Sequence, residues 1–333
     1  MSLDRIRLAS LHDKVISAEQ AAAFIKDGMT VGMSGFTRAG EAKAVPLALV
    51  KQAQANPLKI TLITGASLGN DLDKQLTEAG VLARRLPFQV DNTLRKAINK
   101  GEVMFIDQHL SETVEQMRNL QLKKPDVAVI EAVAITEDGG IIPTTSVGNS
   151  ASFAIFAKEV IVEINTNLSP AFEGLHDIYI PSYRPTRQPI PLTKVDERIG
   201  TTAINIDPAK IVGIVFNSEL HDSPSTVTEP DDETQGIANH LIAFFEKEVA
   251  EGRLPKDLGP LQAGIGSIAN AVLTGLKDSN FEDLVMYSEV LQDCTFELID
   301  AGKMKFASGS SITLSAKYGE KVFNNLEQYK DKL

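Results

Sequence analysis

Short runs of apolar, β-branched residues alternate along this chain with segments whose apolar positions recur at helical spacing. That is the pattern of α/β domains built on largely parallel sheets. The runs predict strands at Met29 to Met33, Lys59 to Thr64, Val103 to Ile106, Val127 to Ile130, Val160 to Ile164 and Ile211 to Phe216. Ser17 followed by Gln20 reads as a capping box that opens a helix through AAAFIK, with Gly28 closing it, and another helix is expected from Val45 to Ala55. Ile135 and Ile141 flank Glu137-Asp138-Gly139-Gly140, a hairpin signal, so the first domain is mixed rather than purely doubly wound.

The stretch Ile180 to Pro191, IPSYRPTRQPIP, holds four of the fifteen prolines and reads as an extended surface connection. From His221 to Glu233, Asp, Ser, Pro, Thr and Glu crowd together without apolar periodicity. The expected organisation is therefore a first domain over 1–220, a linker over 221–233 and a second domain over 234–333. Beyond the linker, Ile237, Leu241, Phe244, Phe245 and Val249 share one face of a helix that Gly252 closes. A second βα series follows: a strand ending near Ala263, a helix from Ser267 to Lys277, a strand from Leu284 to Ser288, a helix from Cys294 to Asp300, a strand from Met304 to Ala307, and an amphipathic segment from Lys317 to Leu333.

Composition narrows the function. A chain of 333 residues with 43% hydrophobic content can bury two cores. Its 33 basic against 44 acidic residues disfavour nucleic acid and anionic membranes as partners. The opening residues contain no apolar leader and no run approaches the ~18 apolar residues of a spanning helix, so a cytoplasmic location is expected. Cys294 stands alone and makes no internal disulfide, which agrees with a reducing compartment. His12, His109, His176, His221 and His240 are scattered singly, so no metal site is expected. Asp71 and Asp73, and the run Asp231, Asp232 and Glu233, read as solvated surface. Neither a Gly-Lys-Ser/Thr phosphate loop nor a complete dinucleotide fingerprint occurs, which disfavours nucleotide hydrolysis and hydride transfer.

Two segments carry candidate chemistry. In Gly264-Ile265-Gly266-Ser267, two glycines stand between a strand and a helix whose expected N-cap is Ser267, so backbone N–H groups collect there. Such a turn holds a phosphate, stabilises an oxyanion, or simply lets strand and helix pack closely. Further on, Met286-Tyr287-Ser288-Glu289 sets a carboxylate at the end of an apolar strand, where open α/β sheets bind ligands. Partial desolvation is expected to make Glu289 a nucleophile toward a thioester; a solvated strand-end charge is the plainer alternative.

The runs GIGSIANAVL and MYSEVLQD, with VGMSGFTRAGEAKAVP at 31–46, ITGASLGNDLD at 63–73, the segment 84–113 and IPTTSVGNS at 142–150, resemble the class I coenzyme A transferases of the acetyl-CoA hydrolase and succinyl-CoA:acetate CoA-transferase family. The resemblance covers essentially the whole chain. It implies two open, mostly parallel α/β domains of the CoA-transferase type. Because family members are longer, the second would be cut short. It implies Glu289 as nucleophile, backbone N–H donors from Ile265 and Gly266 at the oxyanion, Gly264 and Ser267 in the same turn, and Gly35, Phe36, Thr37 and Ser67 lining a carboxylate pocket. It further implies acyl-CoA and a short-chain carboxylate as substrates, coenzyme A as co-substrate with no metal or prosthetic group, and a homodimer. Cys294 stands where a glycine is expected after Gln-Asp. Hydrolysis of acyl-CoA, a catalytically incomplete fragment, and a sugar-phosphate isomerase or regulatory module on a similar fold are the rival readings.

Overall fold

A computed structural model describes residues 3–226 and 230–333. The chain divides into two compact units, one formed by Met1–Ile190 and Ile199–Ser223, the other by Pro191–Arg198 and Pro224–Leu333. The expected linker over 221–233 includes 227–229, which lie outside the described residues.

In the first unit the elements run α1 (Ala18–Ala22), β1 (Thr30–Met33), α2 (Ala44–Ala55), β2 (Ile60–Ile63), α3 (Leu72–Glu78), β3 (Leu82–Leu86), α4 (Asn92–Asn99), β4 (Met104–Phe105), α5 (Leu110–Arg118), β5 (Val127–Ile135), β6 (Ile141–Pro143), α6 (Ser150–Phe156), β7 (Glu159–Asn165) and β8 (Ile211–Asn217). The sheet order is β4-β3-β2-β1-β5-β7-β8, with every neighbouring pair in this order parallel, while β6 pairs antiparallel with β5. Strand order therefore reverses between β1 and β5, and ligands of open α/β sheets bind at the carboxyl ends of the strands beside such a reversal.

All nine residues of β5 are buried, as befits a strand covered on both faces. Val127 and Val129 face a core with α1 to α4, whereas Ala128 and Ile130, on the opposite side of the pleat, face a core with α5 and α6. The capping box expected at Ser17 forms: Ser17 Oγ accepts from the Gln20 amide at 3.1 Å, and Gln20 Oε1 accepts from the Ser17 amide at 2.9 Å.

The second unit contains α7 (Asp232–Ala250), β9 (Pro260–Leu261), α8 (Ser267–Lys277), β10 (Leu284–Leu291), α9 (Asp293–Asp300), β11 (Met304–Ile312) and α10 (Ala316–Asn324). Its strands form a parallel sheet in the order β11-β10-β9. Leu284, Met286, Ser288 and Val290 point into the core, and Tyr287 and Glu289 point out. Phe296 and Tyr329 close the core edge to face, with ring centroids 5.4 Å apart.

Helix α7 departs from the expected buried stripe. Ala238 is its buried residue, while Leu241 and Phe244 are exposed. The helix instead approaches α8 through Ile242, which lies where a methyl group on Gly275 would stand. The acidic run at its start is exposed as expected, but it also builds the helix: Asp231 Oδ1 accepts from the Thr234 amide at 2.8 Å, and Asp232 and Glu233 place negative charge in the first turn.

Candidate active site

The first unit brings Gly35, Phe36, Thr37 and Ser67 together at the carboxyl end of its sheet, beside the β1/β5 reversal. Phe36 and Ala39 exchange backbone hydrogen bonds of 2.9 and 3.1 Å, and Thr37 and Arg38 between them have φ of 50° and 65°. Positive φ at both central residues defines a type I′ turn, a conformation that a β-branched threonine adopts only under strain. The Arg38 amide donates to the Ser67 carbonyl at 3.1 Å, joining this turn to the loop after β2. Glycines permit the close approach: a Cβ on Gly65 would stand 2.6 Å from the Gly35 carbonyl oxygen, and one on Gly148 would stand 3.0 Å from the Phe36 ring. Phe36 and Ser67 are both buried.

Beneath these loops lies a charged cluster that reading the sequence did not identify. Lys43 Nζ lies 2.5 Å from Glu131 Oε2 and 2.8 Å from Asp222 Oδ1, and donates to the Glu41 carbonyl at 2.7 Å. Asp222 Oδ2 accepts from the Gly40 amide at 3.1 Å and from Thr145 Oγ1 at 2.6 Å. Thr144 Oγ1 donates to Glu131 Oε1 at 2.7 Å. Glu163 accepts from the amides of Lys43, Ala44 and Val45 at 2.8, 2.9 and 3.1 Å, and so caps the amino end of α2. Glu41 is fully buried; Asn70 Nδ2 donates to its Oε1 at 2.8 Å, and its Oε2 has no hydrogen-bond partner.

Three carboxylates thus surround one ammonium in a medium of low dielectric. Burial, reinforced by the Asp222 charge, pushes Glu41 up to about 7. Burial pushes Glu131 up as well, against the pull of Lys43, and the surrounding carboxylates hold Lys43 itself protonated. One signal was available in the sequence: Glu131 and Glu163 interrupt otherwise apolar strands, and a carboxylate facing a core requires a partner.

Asp73, expected on the solvated surface, is buried. It receives Arg85 through two contacts, Nε to Oδ1 at 2.8 Å and Nη2 to Oδ2 at 3.2 Å. The pleat of β3 turns Arg85 inward, and the fork geometry of its guanidinium matches the carboxylate.

In the second unit the structure brings Glu289 and the Gly264 turn together. β9 runs parallel to β10 with Leu261 paired to Met286, so the chain leaving β9 passes beside Ser288 and Glu289. Ser288 Oγ donates to the Ala263 carbonyl at 3.1 Å, and Gln292 Nε2 donates to the Gly264 carbonyl at 3.2 Å. The residues on either side of Glu289 in sequence therefore hold the turn. Gly266, not Ser267, is the N-cap of α8; its φ of 147° lies where glycine is favoured, and Ser267 is the first helical residue. Among the described residues, the amides of Ile265 and Gly266 donate to no protein acceptor.

Glu289 is exposed, contrary to the expected partial desolvation, because the alternation along β10 places it opposite the buried Ser288 and Val290. Cys294 is buried, its Sγ lies 3.6 Å from Asn270 Oδ1, and burial pushes its thiol up to about 12, which leaves it a poor nucleophile at neutral pH. No group of three or more potential metal ligands occurs among the described residues. None of the helices searched there is long and apolar enough to cross a membrane.

An open parallel α/β unit with glycine-bounded loops at its strand reversal, joined in one chain to a second α/β unit presenting a carboxylate beside a strand-to-helix turn, defines the class. The chain belongs to the acetyl-CoA hydrolase/transferase family, whose N-terminal domain matches residues 2–216. It is 43% identical over 99% of its length to a succinyl-CoA:acetate CoA-transferase of Clostridium kluyveri, covering 61% of that protein. It is 41% identical to an acetyl-CoA hydrolase of Schizosaccharomyces pombe, covering 99% of this chain and 65% of that one. The chain thus spans less than two thirds of the length of these relatives. In fold it resembles RipA from Yersinia pestis, with a TM-score of 0.69 at 17% identity, covering 94% of this chain and 67% of that one. It also resembles a 4-hydroxybutyrate CoA-transferase of Porphyromonas gingivalis, with a TM-score of 0.60 at 20% identity, covering 95% and 67%.

Proposed function

We propose that the chain carries the nucleophile of an acyl-CoA:carboxylate CoA-transferase acting on short-chain acids, with acetate and succinate as acceptors and acetyl-CoA or succinyl-CoA as donors. The observation that carries this reading is Glu289 beside the Gly264–Ser267 turn, where the amides of Ile265 and Gly266 have no competing protein acceptor among the described residues. A Glu289 oxygen attacks the thioester carbonyl, and the Ile265 and Gly266 amides receive the oxyanion. Collapse breaks the C–S bond, releasing the CoA thiolate and leaving a mixed anhydride. The thiolate then attacks the Glu289 carbonyl carbon, expelling the acyl group as its carboxylate and forming a glutamyl-CoA thioester. An incoming carboxylate reverses these steps, so one difficult exchange becomes several easier ones. Within the first unit, we assign carboxylate binding to the loops that hold Gly35, Phe36, Thr37 and Ser67. We place the reaction in the cytoplasm, in a homodimer, with coenzyme A as co-substrate and no resident cofactor.

The test is mass spectrometry of the protein after addition of acetyl-CoA or succinyl-CoA, with the thioester trapped by borohydride, beside Glu289→Ala. An adduct on Glu289 that the variant lacks is the expected result. An adduct elsewhere, or equal labelling of the variant, sinks the assignment. A second reading, acyl-CoA hydrolysis, is favoured by the relatives named acetyl-CoA hydrolase. It predicts release of free CoA without added carboxylate, whereas the transferase requires the acceptor.

A further inference from the structure

Within the first unit, a short segment after β8 is fastened to three separate loops. Its root is fixed: the buried Asn217 side chain accepts from the Leu220 amide at 2.9 Å and donates to the Leu220 carbonyl at 3.0 Å. Beyond Leu220 the chain has no regular secondary structure and is held by its polar groups. The His221 carbonyl accepts from Asn70 Nδ2 at 3.0 Å, and Ser223 Oγ accepts from the Asn70 amide at 2.9 Å. Between them Asp222 holds the Gly40 amide, Thr145 Oγ1 and Lys43 Nζ. Residues 221–223 thereby tie together the turn after β1, the loop after β2 and the loop after β6.

Lys43 does not neutralise every carboxylate that faces it. Its three N–H groups meet Glu131 Oε2, Asp222 Oδ1 and the Glu41 carbonyl, which leaves none for the Glu41 carboxylate. Glu163 is met by three amides of α2, and Glu131 has Thr144 besides Lys43. Among the described residues, Glu41 Oε2 and Asp222 Oδ1 are the buried carboxylate oxygens without a hydrogen bond, and of the two only Asp222 Oδ1 touches a cation. Space around Glu41 is tight: a Cβ on Gly69 would stand 2.5 Å from its Oε1, and one on Gly35 would stand 2.8 Å from its Cβ. An ionised Glu41 therefore adds an unpaired buried charge beside Asp222. Of the acidic groups, Asp222 is the one free to withdraw. Glu131 and Glu163 belong to interior strands β5 and β7, whereas Asp222 sits on an irregular segment with its side chain partly exposed.

We propose that residues 221–223 are a proton-operated latch: they stay seated on the three loops while Glu41 carries a proton and lift away, hinged at Leu220, when Glu41 ionises. Burial and the Asp222 charge, which push Glu41 up to about 7, set the direction. The closed latch holds the proton more tightly than the open one. Closure is therefore strongest below the ordinary value of 4.5, weakens as pH rises toward 7, and levels off above it. The neighbouring groups are Glu131, pushed up to about 8 by burial, Lys43, kept protonated by the carboxylates around it, and Glu163 on the α2 amides. Two imidazoles adjoin the latch: His221 on the segment itself, and His176, whose Nε2 lies 2.9 Å from the Thr144 carbonyl oxygen. Opening frees the Gly40 amide and the Thr145 hydroxyl, and leaves the loops assigned above to carboxylate binding unbraced.

The test is hydrogen exchange of the 333-residue protein, followed by mass spectrometry at about pH 5.5 and about pH 7.5 and corrected for the intrinsic pH dependence of exchange. The Gly40 and Asn70 amides donate to the latch, so the peptides containing them report its release. In wild type their protection falls on the order of tenfold at the higher pH, while peptides from β5 do not change. Glu41→Gln cannot ionise and offers an N–H where the proton would sit, so its protection is the same at both pH values. Asp222→Asn, at a partly exposed position, removes the charge that Glu41 opposes; protection is weaker but again independent of pH, and this variant decides alone if Glu41→Gln fails to fold. His221→Gln and His176→Gln behave as wild type. A wild type without pH dependence overturns the latch, as does one whose β5 peptides lose protection equally. So does pH dependence that persists in either acidic-site variant, or that disappears in either histidine variant. No acyl-CoA enters the measurement, so its outcome is independent of the chemistry proposed for Glu289.

Discussion

Glu41 takes its properties from what surrounds it. Buried beside Asp222, it is raised to about 7, while an exposed glutamate in the unfolded chain titrates near the ordinary value of 4.5. Between those values the folded protein holds a proton that the unfolded chain has released. The contribution to stability is complete below the ordinary value and is lost as pH rises toward 7. Glu41→Gln keeps the hydrogen-bonding shape without the ionisation. Denaturant unfolding from about pH 5 to about pH 8 should show wild type losing on the order of 2 kcal/mol relative to the variant. Parallel curves would show that Glu41 titrates normally. At Arg85 the issue is pairing: Arg85→Met leaves Asp73 as an uncompensated buried charge, and urea denaturation should show a loss of roughly 3–5 kcal/mol. A loss below about 1 kcal/mol would mean that water reaches Asp73.

Elements were legible where side-chain type and environment agree. β1, β5, β7 and β8 stand out because parallel strands covered on both faces demand continuous β-branched apolar residues, and the hairpin of β5 and β6 was marked by its Asp-Gly-Gly turn. β3 escaped notice because LARRL places two arginines where apolar residues would be expected, one of them neutralised by Asp73 from another element. The Lys43 cluster was illegible for the same reason, since its members at 41, 43, 131, 163 and 222 meet only after the sheet forms. The Gly264 turn and Glu289 were read from sequence because each follows an apolar run, though β10 continues through Glu289 to Leu291 instead of ending at Ser288, and the exposure of Glu289 depends on that β-sheet register. At this scale Ser288→Ala should remove the hydroxyl that holds the turn, slowing Glu289 adduct formation about tenfold with little change in melting temperature. An unchanged rate would mean that the turn needs no such tether. Thr37→Asn should relieve turn strain and stabilise the protein by about 0.5–1 kcal/mol, read from the urea midpoint. A destabilised variant would show that the threonine side chain contributes more than its backbone costs.

For the whole molecule, the two units differ in how their sheets are protected. Amides of β5 sit in the interior of an eight-stranded sheet and should exchange with solvent only through the largest opening of the first unit. Those of β10 belong to a three-stranded sheet with Tyr287 exposed on one face, and should exchange through openings of lower free energy. Hydrogen exchange followed by mass spectrometry resolves the two sets; one common protection factor would show that the units open together.

The path of the chain between the units also sets a schedule. Residues 191–198 belong to the second unit, yet the chain returns to complete the first with 199–223 before building the rest of the second. Arg198 donates to the backbone oxygen of Leu333, 135 positions later. At a ribosomal pace of about 5–20 residues per second, roughly 7 to 27 seconds separate the emergence of these two partners. Until then 191–198 is a spur on a domain that is otherwise free to fold, and a nascent chain must keep that spur from other partners while it waits.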